Sequence, residues 1–254
     1  MSVTHKKNKT SSPRYGLARV ISKLGLCSRS QAAKLVVAGR VSVNGRVQRD
    51  PERPTRLTGE RIVIDGEEAQ VAQRIYIALN KPRGLVVSAA DERGRETIYR
   101  LLNDDKLPWL APVGRLDKAS EGLLLMTNDS AWAAGISDPE SHVDKTYHVQ
   151  IDGTPDEHAL QRMIVGISSD GETLRASDVR VLRTGEKNAW LEVTLDEGRN
   201  RQIRRMLEAL GFTVLRLVRV AIGPIALGKL AKGQWRTLQA REVRSLQSGE
   251  KRRP

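Results

Sequence analysis

Cysteine is almost absent: Cys27 is the only one in 254 residues. A single thiol closes no intramolecular disulfide and builds no thiolate metal cluster. The four histidines, His5, His142, His148 and His158, are scattered and lack the short spacing of a metal-ligand pair. Aromatic residues make up 4 % of the chain, which excludes a platform of many stacking rings. No stretch approaches the ~20 consecutive apolar residues that span a bilayer, so no membrane partner is expected. The basic, polar start "MSVTHKKNKTSSPR" lacks the apolar centre of a secretory signal. Acid is missing from the N-terminal end, where Met1 to Arg49 carry eleven Lys/Arg and no Asp or Glu.

Positive charge is what the chain has in excess. It carries 43 Lys/Arg against 30 Asp/Glu, a formal net charge of +13. Such a surface suits a polyanion, and nucleic acid is the expected partner of a cytoplasmic protein of this kind. Residues 1–14 read as a disordered basic arm and 247–254 as a basic tail. Between them, residues 15–68 read as helix, helix and hairpin. Leu17, Val20, Ile21 and Leu24 recur at helical spacing. Ser28 is a natural N-cap for a helix running to Ala38. Asn44-Gly45, set between alternating apolar residues, predicts a tight hairpin turn. Arg19, Lys23, Arg29, Lys34, Arg40 and Arg46 lie on these elements, a pattern suited to contacts along a phosphate backbone. The polar "EEAQVAQ" marks a linker, placed at 69–73.

Residues 74–246 form the larger domain. Strands are expected at "IYIALN" and "LEVTLDE", and at Leu85–Ser88, Leu123–Thr127, Thr146–Ile151, Leu174–Val181, Thr213–Ala221 and Trp235–Leu238. Helices are expected at Thr97–Asn103, Ser130–Ile136, Pro155–Val165 and Asn200–Leu210, the last capped by Asn200. Strands in succession with few strand–helix alternations predict an α+β fold with a largely antiparallel sheet. Three stretches stand out there. "LNKPRGLVVS" closes a strand at Lys81-Pro82. "PVGRLDKASEGLLLMTND" sets one carboxylate, Asp117, between a Gly-Arg turn and an apolar run. "DEGRNRQIRRMLEALG" puts Ile203, Leu207 and Leu210 on one helix stripe and crowds arginines into its first turns. A helix N-terminus disfavours cations, so these arginines should face a carboxylate, RNA phosphate, or both.

Two resemblances follow from these motifs. "GLCSRSQAAKLVVAGRVSVNG" resembles the alpha-L (S-four-type) RNA-binding domain, which implies structured-RNA binding by residues 15–68. K-P-R-G, G-R-L-D-x-x-S-x-G-L-L-L-x-T-N-D and E-G-R-x-R-Q-I-R-R-M, in that order, resemble the pseudouridine synthases. They are most similar to the ribosomal RNA group, the RsuA/RluB-like enzymes, which carry such an N-terminal domain. The resemblance implies a catalytic domain with a mixed, largely antiparallel sheet flanked by helices. It implies an isomerase that converts a uridine of ribosomal RNA, naked or partly assembled, to pseudouridine, acting as a monomer. It implies no cofactor and no metal.

Residue by residue, the resemblance assigns Asp117 as the catalytic aspartate and Tyr147, in "KTYHV", as the ring that packs on the target base. It assigns Arg204 as the arginine that pairs with Asp117, and Ile203 as its apolar neighbour. Lys81 and Pro82 match the motif that supports the pocket. By its position beside Asp117, Arg115 is expected either to hold the extruded nucleotide or to occupy its place. Arg199, Arg201 and Arg205 are expected to contact RNA. Ser120 stands where the family often has threonine, and Arg201 where it commonly has histidine. An aspartate is anionic at neutral pH, and an arginine beside it favours that form and orients it. Whether Asp117 attacks the sugar, attacks the base or removes a sugar proton is left open by the residues. The target must leave its stack to be reached. The alternative function is a non-catalytic RNA-binding ribosome-assembly factor of the same fold. Such a relative would be expected to lack Asp117 or Arg204, and this chain has both. A glycoside hydrolase would need a second carboxylate across the bond, and nothing places one opposite Asp117.

Overall fold

The computed structural model describes residues 13–89, 94–102 and 107–247. Most of the basic arm and most of the basic tail lie outside the described residues. The chain divides into two compact units. The first runs to Arg74 together with Pro108–Leu110, and the second comprises Ile75–Leu107 and the chain from Ala111 on. Among the described residues no helix is long and apolar enough to cross a membrane.

In the first unit, helices α1 (Leu17–Lys23) and α2 (Arg29–Val37) pack around Leu17, Val20, Ile21, Ala32 and Val36. The cap at Ser28 is a full capping box. Gln31 N–H donates to Ser28 Oγ (3.1 Å), and Ser28 N–H donates to Gln31 Oε1 (3.0 Å). Strand β1 (Arg14–Gly16) pairs with β4 (Pro54–Arg56). Strands β2 (Val41–Val43), β3 (Arg46–Gln48), β5 (Ile62–Ile64) and β6 (Glu67–Glu68) form a sheet in the order β3-β2-β5-β6. The β2–β3 turn has Asn44 at φ 50° and Gly45 at φ 79°, the left-handed pair such a hairpin requires. "EEAQVAQ", read as polar and aperiodic, begins in β6. Beyond it, Ala69 N–H donates to Ile62 O and Ala72 N–H to Leu24 O, so backbone pairing ties this stretch to the first unit.

The second unit is built on a nine-stranded sheet. Its strands are β7 (Tyr76–Lys81), β8 (Ala111–Val113), β9 (Glu121–Thr127), β10 (Lys145–Asp152), β13 (Asp178–Thr184), β14 (Asn188–Leu195), β15 (Val214–Ile222), β16 (Ile225–Ala226) and β17 (Trp235–Thr237). The order is β13-β14-β10-β15-β9-β7-β17, with β8 on β9 and β16 on β15. Every pairing in it is antiparallel except β15–β9. A separate hairpin joins β11 (Ile167–Ser169) and β12 (Glu172–Leu174). Helices α4 (Glu157–Val165) and α5 (Gln202–Ala209) cover Val149, Ile151, Leu191 and Val193. Helices α3 (Ser130–Ser137) and α6 (Ala240–Gln247) cover Leu123, Leu125 and Ile222.

Three expected elements differ. Leu85–Ser88 forms only a bridge, Val86 to Thr97; its Leu85 and Val87 are buried as anchors rather than as a paired strand. The helix expected at Thr97–Asn103 is one 3-10 turn, Ile98–Leu101, with Asn103 outside the described residues. Leu174–Val181 is interrupted because Ala176 N–H donates to Met163 O and Ser177 N–H to Thr194 O, which carries the chain from the β11–β12 hairpin to the main sheet.

One glycine is required by the parallel pairing. Gly122 sits opposite Arg219 at φ 101°, and a Cβ there would lie 2.2 Å from the Arg219 carbonyl oxygen. Gly122→Ala combines a disfavoured backbone conformation with a backbone clash in the core of the sheet. It should lower the unfolding free energy by roughly 2–4 kcal/mol, read as a lower urea midpoint. An unchanged midpoint would refute this close approach.

Candidate active site

The G-R-L-D turn leaves β8 through Gly114 (φ 70°) and enters β9 at Glu121. Two buried cations hold its backbone. Lys81, at the end of β7, is 0 % exposed. Its Nζ donates to the carbonyls of Ser120 (2.8 Å), Pro82 (3.1 Å) and Asp117 (3.2 Å). Burial pushes the Lys81 ammonium down to about 8, with Arg219 adding to the fall and Asp117 and Glu121 opposing it. Arg219, on β15, donates from Nε to Leu123 O (2.7 Å) and from Nη1 to Arg115 O (3.4 Å). Ser120 N–H closes the turn onto Asp117 O at 3.0 Å. Backbone atoms of residues 115, 117 and 120 are thus each hooked to a fixed side chain, and the Asp117 carboxylate projects from a rigid base.

That carboxylate lines a cavity of about 330 Å³. This is at the small end of ligand pockets, suited to one nucleoside. Arg115, Leu116 and Ser120 line it from the turn, Lys145 and Tyr147 from β10, Leu217 and Arg219 from β15, and residues 198–203 from the start of α5. Tyr147 stands opposite Arg219 on β15, while Thr146 stands opposite Ala221. The extra residue between them is a bulge, a device that re-aims side chains beside functional sites. Tyr147 is half-buried and packs on the core that includes Ile203.

The start of α5 departs from expectation. Its N-cap is Arg201, in left-handed conformation at φ 48°, and no side chain caps the helix in the place foreseen for Asn200. Gln202 folds back instead. It accepts from Arg199 N–H (3.1 Å) and donates to Glu197 Oε1 (2.7 Å) and Arg175 O (2.9 Å), which rigidifies the loop. The residue paired with the carboxylate is Arg201, with Nη1 3.9 Å from Asp117 Oδ2. Arg204, expected in that place, lies further along the helix. It donates to Val214 O (3.2 Å) and Ala119 O (3.5 Å), and its Nε is buried without a partner. Burial and the neighbouring Arg201 weigh against the Arg204 charge, while Asp117 favours it. Arg204 therefore sits within the field of the carboxylate and buttresses the turn through the Ala119 carbonyl.

Of the other residues singled out by sequence, Arg115, Asp117, Tyr147, Ile203, Arg199 and Arg201 meet at the cavity. Lys81 and Pro82 stand behind it, because the Lys81 ammonium has no access to it and is spent on backbone carbonyls. Arg199 also pairs with Glu197 (3.0 Å) and Glu172 (3.6 Å). Arg205 turns to the β11–β12 hairpin, pairing with Glu172 (2.8 Å) and Asp170 (3.2 Å), which leaves it little open surface. In the first unit, acids absent from residues 1–49 arrive from further along the chain. Arg29 pairs with Glu52 (2.8 Å) and Arg40 with Asp65 (2.6 Å). Arg19 and Lys23 lie over the Tyr15 ring, at 5.2 and 4.8 Å from its centre. Lys34 and Arg46 are exposed. Sequence reasoning missed Lys145, Arg219 and Ser120 as cavity residues. Lys145 had a signal, the K-x-Y spacing that puts it on the Tyr147 side of a strand. Arg219, inside an apolar strand, had none.

Comparison with known proteins adds the following. A family model described as RNA pseudouridylate synthase matches residues 75–209, and the S4 domain model matches residues 16–72. The chain is 38 % identical over 230 residues to an uncharacterized RNA pseudouridine synthase of Aquifex aeolicus, covering 90 % of this chain and 92 % of that protein. It is 34 % identical over 236 residues to ribosomal large subunit pseudouridine synthase B of Bacillus subtilis, covering 91 % and 95 %. A crystal structure of a pseudouridylate synthase superposes with a TM-score of 0.65 at 32 % identity, covering 92 % of this chain and all of that one.

Proposed function

From the premise that this chain belongs to the RNA pseudouridylate synthase family and carries an S4 domain, we propose that it isomerises a uridine of large-subunit ribosomal RNA, with Asp117 as the catalytic carboxylate. The observation that carries this reading is the Asp117 carboxylate, held on a backbone anchored by Lys81 and facing a nucleoside-sized cavity beside Arg201. The Bacillus subtilis relative's name supports the large subunit as source of the substrate. The target uridine leaves its stack and enters the cavity against Tyr147, with Ile203 on its apolar side and Arg115 at the mouth. Arg201 orients the carboxylate, and Arg204 supports the turn beneath it. The N1–C1′ bond breaks with its electron pair on the base, the base turns, C5 joins C1′ with loss of the C5 proton, and N1 takes up a proton. The protein acts as a cytoplasmic monomer on naked or partly assembled RNA.

The test is tritium release from ribosomal RNA labelled at uracil C5, offered as large- or small-subunit RNA, naked and partly assembled. Release from large-subunit RNA alone, with no free uracil, is the expected result. Release only from small-subunit RNA would overturn the choice of subunit. Tight binding without release from any substrate would return the assembly-factor reading.

The first unit supplies affinity through phosphates. Lys34 and Arg46 are exposed, so Lys34→Gln with Arg46→Gln should weaken RNA binding while leaving the fold intact. Loss of two phosphate contacts should reduce the slope of log Kd against log salt by about 1.5. Filter binding across a salt series measures it, and an unaltered slope would remove these residues from the RNA interface.

A further inference from the structure

The cavity holds far more positive than negative charge. Arg115, Lys145, Arg199, Arg201 and Arg219 line it, and Asp117 is the one carboxylate among the described lining residues. Three of these cations are already engaged: Arg199 with Glu197 and Glu172, Arg201 with Asp117, and Arg219 with two carbonyls. Of the other two, Arg115 is exposed to solvent, and Lys145 is different. It is half-buried and lines the cavity two residues before Tyr147 on β10, hence on the same side of the strand. No carboxylate among the described residues lies within ion-pair distance of it. Asp196, which attracts it from further away, lies 3.4 Å from His142 Nδ1. Burial and the repulsion of Arg219 both disfavour the Lys145 charge, with Asp144 and Asp196 in opposition. Arg219, for its part, keeps Nη2 buried and without a partner. Two neighbouring cations, one buried and one half-buried, facing one cavity, are an arrangement that an incoming negative charge relieves.

The reaction proposed above generates such a charge by each of its three routes. If Asp117 attacks the sugar, its Oδ–C1′ bond forms and the C1′–N1 bond breaks, with the electron pair leaving on the base. If Asp117 removes the C2′ proton, the C–H pair becomes a C1′=C2′ double bond and the C1′–N1 pair again leaves on the base. If Asp117 attacks C6, the C5=C6 π pair moves through C5 onto O4. In every case one unit of negative charge passes from Asp117 to the uracil ring. Arg201 stabilises that charge before the step, where it sits on the carboxylate. A cation that lowers the barrier must meet the charge after the transfer.

We infer that Lys145, beside Tyr147, is the catalytic cation that receives the negative charge developing on the uracil ring. This inference rests on the uridine-isomerisation reading and deepens it. Tyr147 covers the face of the base while the Lys145 ammonium stands at its edge. Arg219 holds the strand behind and contributes its unspent donor to the same field. The interaction strengthens only as the base gains charge, so it acts on the chemical step more than on binding.

The test compares single-turnover rates on two large-subunit ribosomal RNA transcripts, one made with uridine and one with 5-fluorouridine. Fluorine withdraws electrons and stabilises the base anion, so it takes over part of the work of the cation. Product is read after nuclease digestion by mass spectrometry, as C-linked nucleoside, which retains fluorine in the second case. On the uridine transcript Lys145→Met should slow turnover on the order of 100-fold, with RNA affinity and melting temperature near those of the unaltered protein. On the 5-fluorouridine transcript the same substitution should cost less than about 10-fold, by the same electrostatic logic. Lys145→Arg should restore most of the rate on both. Equal losses on the two transcripts, or no loss on either, would overturn the assignment while leaving the isomerase reading intact. An unaltered protein that yields no C-linked product from the uridine transcript would sink the substrate reading, and this assignment with it.

Discussion

Asp117→Asn should reduce tritium release to background while the protein stays folded and still binds RNA. Asparagine keeps the shape of the side chain but removes the negative charge, the nucleophilic oxygen pair and the proton-accepting capacity, which between them cover every route open to the carboxylate. The backbone of the turn should be unaffected, because Lys81, Arg219 and Ser120 N–H grip main-chain atoms rather than the carboxylate. The expected loss is on the order of 10⁴-fold or more, as for removal of a principal catalytic group elsewhere. Stability should shift little, since the ion pair it breaks is long, at 3.9 Å, and half-exposed on the Arg201 side. RNA affinity should hold or rise slightly, because a negative charge leaves a cavity that faces a polyanion. Two measurements decide the matter together: residual tritium release and the urea midpoint. Release at a tenth of the unaltered rate, with the fold intact, would move catalysis to another group.

Lys81→Met should weaken both fold and activity, for a reason distinct from that of Asp117. The methionine fills similar space but leaves the carbonyls of Pro82, Asp117 and Ser120 without their donor in a buried place. Orphaned carbonyls cost about 1–3 kcal/mol each, offset in part by no longer burying a charge. A net loss of roughly 2–4 kcal/mol is expected, together with a fall in turnover as the Asp117 backbone loosens. The pH dependence carries a separate signature. The lysine sits at about 8 in the folded protein and near its ordinary value of about 10.5 when unfolded. Between those two values the unfolded chain binds the extra proton, so the contribution of Lys81 to stability rises with pH across that window and is flat below it. The full rise is roughly 3 kcal/mol. Urea unfolding of the two proteins at pH 7 and at pH 10 therefore separates them. The unaltered protein should gain on the methionine variant at pH 10, and a constant difference would mean that Lys81 is not buried as a cation. Turnover should move the other way, because a deprotonated amine has one donor fewer for the carbonyls that fix Asp117.

Much of this protein was legible in its residues. Local rules settle local structure, which is why the Ser28 capping box, the Asn44-Gly45 hairpin and the buried stripe of α5 follow from sequence alone. Alternation along β14 announced a half-buried strand, whereas β7, which alternates likewise, is buried on both faces because helices and loops cover it on each side of the sheet. The resemblance carried by three motifs and by K-T-Y-H-V implied the family and the expectation that Asp117, Tyr147 and Ile203 belong to one site, and the structure brings all three to one cavity.

The tertiary structure decided what depends on partners far apart in the chain. Which arginine meets Asp117 turns on the left-handed backbone of Arg201 and on the carbonyls of Ala119 and Val214, which claim Arg204. Which basic residues remain open to RNA turns on acids 20 to 40 positions away, such as Glu52 and Asp65 for Arg29 and Arg40, or Glu172 for Arg205. Arg219 looked like one more residue of an apolar strand until a parallel pairing with Gly122 and a bulge opposite Tyr147 set it at the cavity floor. Composition and spacing specify which groups a chain owns and the elements they ride on. Electrostatic pairing and the direction of a side chain are settled only when the sheet closes, because both depend on distances of a few ångströms between residues that the sequence keeps a hundred positions apart.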